Sequence, residues 1–450
     1  MKIVKGNSKV VYQGDCFEEL GWGPVQFPKF FTLTDGRIGI FIHNEDDAPH
    51  ALGEGIYMVS NDCAKTFDFA TESDVEKFGD IILNDGSSLR IVPEKAKKVQ
   101  GVKEGETHFG GYQIPTDDYI AKNSNDETQF PSPFNMELDI FGSRNNVYFI
   151  DSLPTNLIKR TFSFSKYNPK TCKKELFESN VEWDYRTVST YNPNVVYGTG
   201  TDELFINPMG LYTCRVIKRA PDGALWIAHY RGLGTNPKTG AYYGKGTAYF
   251  LKSTDEGKTW VCKGHIPYLP DETYEKNDIY AYIRGGFYEP TMEIYEDGSM
   301  MMCILRTCNV FTGTPEWGPT YISYSYDDGE SWTKPVYFRE KGALPVTVKL
   351  DCGVTLAVIT RPGIDVYASS DNGKTFPEKL EIMTAEDRSG LSESKPERPN
   401  FWMWAGSCCN CSIIATGKNT ALLAYSDFYI NDNSGKPKKS IVVTELIIEE

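Results

Sequence analysis

Several things are scarce in this 450-residue chain, and each scarcity excludes something. No stretch is apolar enough to span a membrane, which needs about 20 such residues in a row. Positive charge is in deficit. Lys and Arg total 47 against 61 Asp and Glu, a formal net charge of −14. A nucleic-acid partner calls for a basic surface, so none is expected. A small anionic ligand held by a few local arginines stays compatible with that balance. Histidine is rare, at five residues. Cysteine comes to an odd eleven, irregularly spaced. The dense Cys408-Cys409-Asn410-Cys411 cluster lacks the separated pairs of a zinc site and reads as thiols on an inner strand. The opening Met1-Lys-Ile-Val-Lys-Gly has no apolar core of a secretory signal. Together with unpaired cysteines, this sets the expectation of a cytoplasmic protein.

What is plentiful points to strands and turns. Aromatic residues make up 13% of the chain, with 40 Gly and 25 Pro. That mix suits many short strands joined by tight turns. Four segments share one template: Ser60-Asn-Asp62-Cys-Ala64-Lys-Thr66-Phe67, Ser253-Thr-Asp255-Glu-Gly257-Lys-Thr259-Trp260, Ser325-Tyr-Asp327-Asp-Gly329-Glu-Ser331-Trp332 and Ser369-Ser-Asp371-Asn-Gly373-Lys-Thr375-Phe376. The pattern is Ser-x-Asp-x-Gly-x-Thr/Ser-aromatic. The Asp is expected to accept from backbone N–H groups two residues on. The Gly supplies a positive φ. The aromatic returns to the core. Ala64 stands where Gly is expected, which predicts a looser first turn. Each copy follows a strand-like run, so each is predicted to join the two outer strands of a sheet.

A second repeat interleaves with the first: apolar run, Asp-Gly or similar turn, apolar run. It is centred on Asp35-Gly36, Asp222-Gly223, Asp297-Gly298, Asp351-Cys-Gly353 and Gly417, with a sixth candidate at Asn135–Ile140 and Asn146–Ile150. Two hairpins make a four-stranded antiparallel sheet. Six such units around an axis predict an all-β, six-bladed β-propeller, one domain over residues 1–450. The blades fall at about 27–70, 80–195, 211–260, 288–332, 342–376 and 406–448. The last unit lacks a strand, which Ser8–Tyr12 can fill.

In such a hairpin the start of the inner strand and the end of the second lie on one rim. Those positions are Gln26, Pro28 and the His43–His50 loop in the first blade, and Asp151 in the second. In the third they are Tyr212, His229, Tyr230 and Arg231; in the fourth, Tyr288, Glu289 and Arg306. Arg361 falls there in the fifth, and Trp404, Asn410, Tyr425 and Asp427 in the sixth. Arginine reads carboxylates bidentately, so Arg231, Arg306 and Arg361 suit an anionic sugar. His43, Glu45, Asp47 and His50 offer metal-ligand types, but at no recognised spacing. Neither metal nor cofactor is expected.

The four Asp boxes on a six-bladed layout resemble the sialidase (neuraminidase) superfamily of BNR-repeat proteins over nearly the whole chain. The resemblance implies a Glu just before the inner strand of a middle blade, matched by Tyr288-Glu289-Pro290. It implies an arginine ending the next strand, matched by Ile304-Leu305-Arg306. By resemblance, Glu289 activates a nucleophile and Arg306 binds the substrate carboxylate. Other positions depart. The family's Arg-Ile-Pro reads Gln26-Phe27-Pro28 here, its loop Asp falls near His50 with Asp46 and Asp47 close by, and its nucleophilic Tyr falls near Asn410. A third arginine is Arg361 or Arg398. The expected activity is a sialidase-like glycoside hydrolase of altered specificity, acting on a glycan with a nonulosonic or uronic acid. Glu289, Asp47 and His50 are its candidate catalytic residues. Arg306, Arg231, Arg361, Gln26, Asn410 and Tyr425 are its candidate binding residues. The alternatives are a non-catalytic sugar- or protein-binding propeller and a polysaccharide lyase on the same scaffold, the latter with His50, His229 or Tyr230 as base.

Overall fold

The computed structural model describes residues 1–21, 23–45, 55–92, 97–99, 108–109, 144–149, 161–182, 187–192, 204–206, 216–231, 246–269, 286–295, 300–308, 317–361, 363–384 and 410–449. Among these the chain is all-β, with two short helices, Phe17–Leu20 and Glu72–Lys77. No helix of the described residues is long and apolar enough to cross a membrane.

The two repeats build the sheets. The Asp35-Gly36 turn joins Gln26–Leu33 to Ile38–His43, and the first box joins Gly55–Ser60 to Asp68–Phe69; the four strands pair in that order. The same logic orders Ile217–Arg219, Leu225–Arg231, Thr247–Ser253 and Thr259–Pro267. It recurs in Phe287–Tyr295, Met300–Cys308, Trp317–Ser325 and Val336–Arg339. It recurs again in Ala343–Lys349, Thr355–Thr360, Ile364–Ser369 and Glu378–Met383. The final sheet runs Cys411–Gly417, Thr420–Asn431, Pro437–Glu449, and then Lys2–Gln13 as its outer strand. The N-terminal segment thus supplies the strand that the C-terminal unit lacks. These sheets are called first, third, fourth, fifth and sixth below.

The second unit's strands fall within 80–195, but its inner hairpin is not the sixth candidate that the sequence pattern picked out. Its inner hairpin is Ile81–Ile82 and Ser88–Ile91, turning at Asp85-Gly86, and its outer strands are Thr161–Asn168 and Lys173–Glu182. It is fused to the third sheet through a parallel pairing of Asn180–Glu182 with Thr259–Val261. Of the sixth hairpin candidate, Asn135–Ile140 and Ile150 lie outside the described residues. The strand Arg144–Phe149, which carries Asn146–Phe149, belongs to a separate five-stranded sheet beside Thr187–Asn192.

The four boxes form one turn. In each, the Asp Oδ1 accepts the backbone N–H four residues on, at 2.7 to 2.9 Å, and Oδ2 accepts the Thr or Ser hydroxyl. The expected reach was two residues. The longer reach arises because the Ser hydroxyl takes the nearer N–H, that of the Gly or Ala position, at 2.7 to 2.9 Å. Ala64 adopts φ 65° and its turn closes like the others, so the expected looseness is absent. The glycines also allow close approach. A Cβ on Gly329 would lie 2.9 Å from Trp226 of the third sheet, and one on Gly373 would lie 2.5 Å from Met302 Sδ of the fourth. Box glycines are therefore where one sheet nests against the one before it.

Packing joins successive sheets. Leu89, Phe162, Leu225 and Trp260 bury the second unit against the third sheet. Trp226, Phe250, Ile294 and Leu305 join third to fourth. Ile304, Ile322, Ala357 and Ile359 join fourth to fifth. Val358, Val366, Leu423 and Leu446 join fifth to sixth, and Ile40, Met58, Leu422 and Val443 join sixth to first. Each Val, Leu, Ile, Phe or Met side chain among these contributes roughly 1.5 to 3 kcal/mol on full burial.

Candidate functional site

Three inner strands begin with the same irregularity. The register slips between Gln26 and Lys29, between Tyr288 and Thr291, and between Ala343 and Val346. Each slip holds a left-handed residue directly before proline: Phe27 at φ 49°, Glu289 at 46° and Leu344 at 46°. The residue before proline normally adopts extended backbone. Holding a non-glycine residue in the left-handed region costs of order 1 to 3 kcal/mol, and such outliers gather at functional sites. A β-bulge re-aims the side chain it carries.

In the fourth sheet that side chain is Glu289. Tyr288 pairs across with Arg306, and the Arg306 guanidinium donates from Nη1 to Glu289 Oε2 at 2.6 Å. The same oxygen accepts the backbone N–H of Leu344 at 3.0 Å. The fifth sheet's bulge thus supplies a donor to the fourth sheet's carboxylate. Arg306 is buried and the Glu289 side chain is 20% exposed. Tyr230 of the third sheet meets Tyr288 edge to face at 5.4 Å.

A second polar link crosses three sheets. Arg361 follows the second strand of the fifth sheet, is left-handed at φ 58° and is 2% exposed. Its Nη2 donates to Asn410 Oδ1. Asn410 Nδ2 donates to Gln26 Oε1 at 2.5 Å. Asn410 and Gln26 are both fully buried. The Asn410 backbone exchanges bonds with Ser426: its N–H donates to the Ser426 hydroxyl at 3.2 Å, and its carbonyl accepts the Ser426 N–H at 3.0 Å. Leu344 ties the two groups, since its N–H holds Glu289 and its carbonyl accepts the Cys411 thiol at 3.8 Å.

Five predicted site residues therefore fall into two neighbouring groups, Glu289 with Arg306 and Gln26 with Asn410 and Arg361. Tyr425 pairs with Cys411 and lies in the apolar cluster between fifth and sixth sheets. Arg231 ends its strand opposite Thr247. Asp47, His50 and Arg398 lie outside the described residues, as do Asp151, Tyr212 and Trp404. His229 is buried beside Phe162 and Tyr230. No group of three metal-ligating side chains occurs among the described residues. Sequence reasoning missed the Leu344 N–H. The shared pre-proline position in Phe27-Pro28, Glu289-Pro290 and Leu344-Pro345 was the signal that could have aligned the three bulges.

No protein-family model matches the sequence, and comparison with curated proteins finds no match. Among solved structures the chain is similar to a protein of unknown function from Dyadobacter fermentans, at 13% identity and a TM-score of 0.52, covering 99% of both chains. It is also similar to an α-L-arabinofuranosidase of Fusarium graminearum, at 11% identity and a TM-score of 0.45, covering 98% of this chain and 97% of that one. A sialidase of Streptococcus pneumoniae matches at 12% identity and 0.41, covering 98% and 70%. The last two scores fall below one half. Only the first likeness bears on the fold, and none of the three bears on chemistry.

Proposed function

We propose that the sheets form a sialidase-like six-bladed propeller, and that the rim built by the three bulges is the active site of a glycoside hydrolase for an anionic sugar. The observation that carries the reading is the strained Glu289, gripped by Arg306 at 2.6 Å and by the Leu344 N–H at 3.0 Å, beside the buried Arg361. Hydrolysis of a glycosidic bond needs one group that activates the attacking nucleophile and another that protonates the leaving oxygen. Glu289 takes the first role. The acid comes from the segment after the first sheet's second strand, where Asp47 and His50 stand in sequence. Arg306 and Arg361 hold the sugar's carboxylate, with Arg231 completing the positive rim.

Asn410 cannot serve as the covalent nucleophile. Its amide is neutral, and both ends of it are bonded inside the protein. The attacking group is then a water activated by Glu289. The same closed bonding favours the second reading, a propeller that binds an acidic sugar without cleaving it. A panel of chromogenic α-sialosides, other nonulosonic acid glycosides and uronides separates the two. Turnover that disappears in Glu289→Gln supports the hydrolase. Sugar binding by calorimetry with no turnover on any substrate supports the binder. Rising absorbance near 235 nm marks elimination and the lyase alternative.

A further inference from the structure

Two donors meet on one atom of Glu289. Arg306 Nη1 and the Leu344 backbone N–H both reach Oε2, at 2.6 and 3.0 Å. Each oxygen of an ionised carboxyl has two lone-pair sites. Two N–H groups therefore fill Oε2, and a proton delivered to Glu289 goes to Oε1. Bonds donated to a charged carboxyl also favour the charged form.

The second donor comes from an unusual place. A strand N–H normally bonds within its own sheet. Leu344 is left-handed at φ 46°, directly before Pro345, and the register of the fifth sheet slips around it. Its N–H meets a carboxylate of the fourth sheet instead. One backbone device thus does two jobs: the fourth sheet's bulge presents a side chain, and the fifth sheet's presents a peptide N–H. The contact is made by the main chain, while the leucine side chain is buried. The other charged or titratable groups on the strands about Glu289 are Tyr288 and Arg306 of its own sheet, Tyr230 of the third and Arg361 after the second strand of the fifth. Farther along the inner strand, Glu293 is paired with Lys218 at 2.5 Å.

We infer that Leu344 is a positioning residue: its backbone N–H holds Glu289 in the charged, base-competent form and, with Arg306, directs the incoming proton to Oε1. The inference rests on the reading of Glu289 as the base and deepens it.

The test removes one N–H. Placing the α-hydroxy acid analogue of leucine at position 344 of the full-length protein turns that peptide into an ester and deletes the donor. The Glu289 carboxyl is then titrated by infrared difference spectroscopy against Glu289→Gln, without substrate. Losing a donor to the charged form should raise the midpoint by about one unit or more. The acid limb of kcat/KM, which reports the free enzyme, should rise with it. Leu344→Met keeps the N–H and should leave both in place. If the ester chain does not fold, the wild-type amide carries the test. In protein labelled with 15N-leucine, the Leu344 signal is identified by its disappearance in Leu344→Met. It should shift with the Glu289 midpoint and hold still in Glu289→Gln. A midpoint unmoved in the ester, or a Leu344 amide that ignores Glu289, overturns the inference and leaves the hydrolase reading standing. A midpoint that rises while the acid limb stays put overturns Glu289 as the base, and the inference with it. A raised midpoint in a protein that turns over no sugar overturns the hydrolase and supports the hold of Leu344 on Glu289.

Discussion

The first and fourth sheets begin with one backbone device and put different chemistry on it. Both open on a bulge, a left-handed residue and a proline. In the fourth the bulge bears Glu289, and the strand opposite brings Arg306 across from Tyr288. In the first it bears Phe27, and the strand opposite brings His43 across from Gln26. Glu289 and Arg306 form an ion pair, whereas Phe27 meets His43 edge to face at 5.6 Å. The backbone strain is paid for in both places, yet only one bears an ionisable bulge residue. The device is thus a property of the scaffold, and function is decided by which side chain it carries. The two sheets also differ at their outer turns, where Gly329 stands in the fourth and Ala64 in the first.

The largest effect should come from asymmetry at the bulge. Glu289→Gln is expected to lower kcat by about 10²- to 10⁴-fold, the usual cost of losing a positioned proton-transfer group. Phe27→Leu, at the matching place, should leave kcat within a few fold. Equal effects on kcat from the two variants would erase the distinction between the sheets.

Next comes the outer turn. Gly329→Ala adds a Cβ 2.9 Å from Trp226 at φ 74°. Left-handed strain and overpacking together should destabilise by about 2 to 4 kcal/mol in denaturant titration. A loss under about 0.5 kcal/mol would show that the third and fourth sheets have room to spare there. The opposite change in the first sheet, Ala64→Gly, relieves φ 65°. It should stabilise by roughly 0.5 to 1 kcal/mol, after the added freedom of the unfolded chain is subtracted.

At the strand opposite the bulge, Arg306→Lys keeps the charge and loses the planar fork. We expect KM to rise about tenfold while kcat moves little, because a carboxylate is no longer gripped at two points. A fall in kcat with KM intact would move Arg306 from binding to catalysis.

The smallest effect is acid sensitivity, and here the two sheets should agree. The Thr66 hydroxyl and N–H bonded to Asp62 hold its carboxyl down at about 2. Ser331 lowers Asp327 in the same way. A carboxyl whose pKa is depressed on folding stabilises at pH values above its unfolded pKa of about 4. That stability is lost as pH falls from there through about 2. The Tm gap between wild type and Asp62→Asn should therefore close over that window. A gap that is flat with pH would mean that the hydroxyl and N–H bonds do not favour the charged carboxyl.

Much of this was legible in the residues. Short turns are local, so the Asp boxes and Asp-Gly pairs announced their hairpins, and the unpaired sixth unit announced the need for a strand from elsewhere. The second unit was illegible because its inner strands are short. Ile81–Ile82 and Ser88–Ile91 offer too few alternating positions to register as strands, and its outer pair has no box. Register alone placed Glu289 and Arg306 side by side. The bond from Asn410 to Gln26 spans 384 residues of sequence, and no local pattern reports a contact of that reach. The Leu344 N–H was invisible for another reason: it depends on a bulge in one sheet meeting a carboxylate in the next.

The last strand of the sixth sheet, Pro437–Glu449, sits between Thr420–Asn431 and the N-terminal Lys2–Gln13. Ser8 bonds Thr444 across 436 residues of sequence. During synthesis Lys2–Gln13 leaves the ribosome long before Pro437–Glu449 and waits for that partner strand to be made. Closing so long a loop carries an entropic cost of about 5 kcal/mol by the logarithmic law, which the contacts between Lys2–Gln13 and Pro437–Glu449 must offset. Contacts of such separation form late and slowly. The exposed edge left waiting is then the point at which a nascent chain is open to mispairing with another copy of itself.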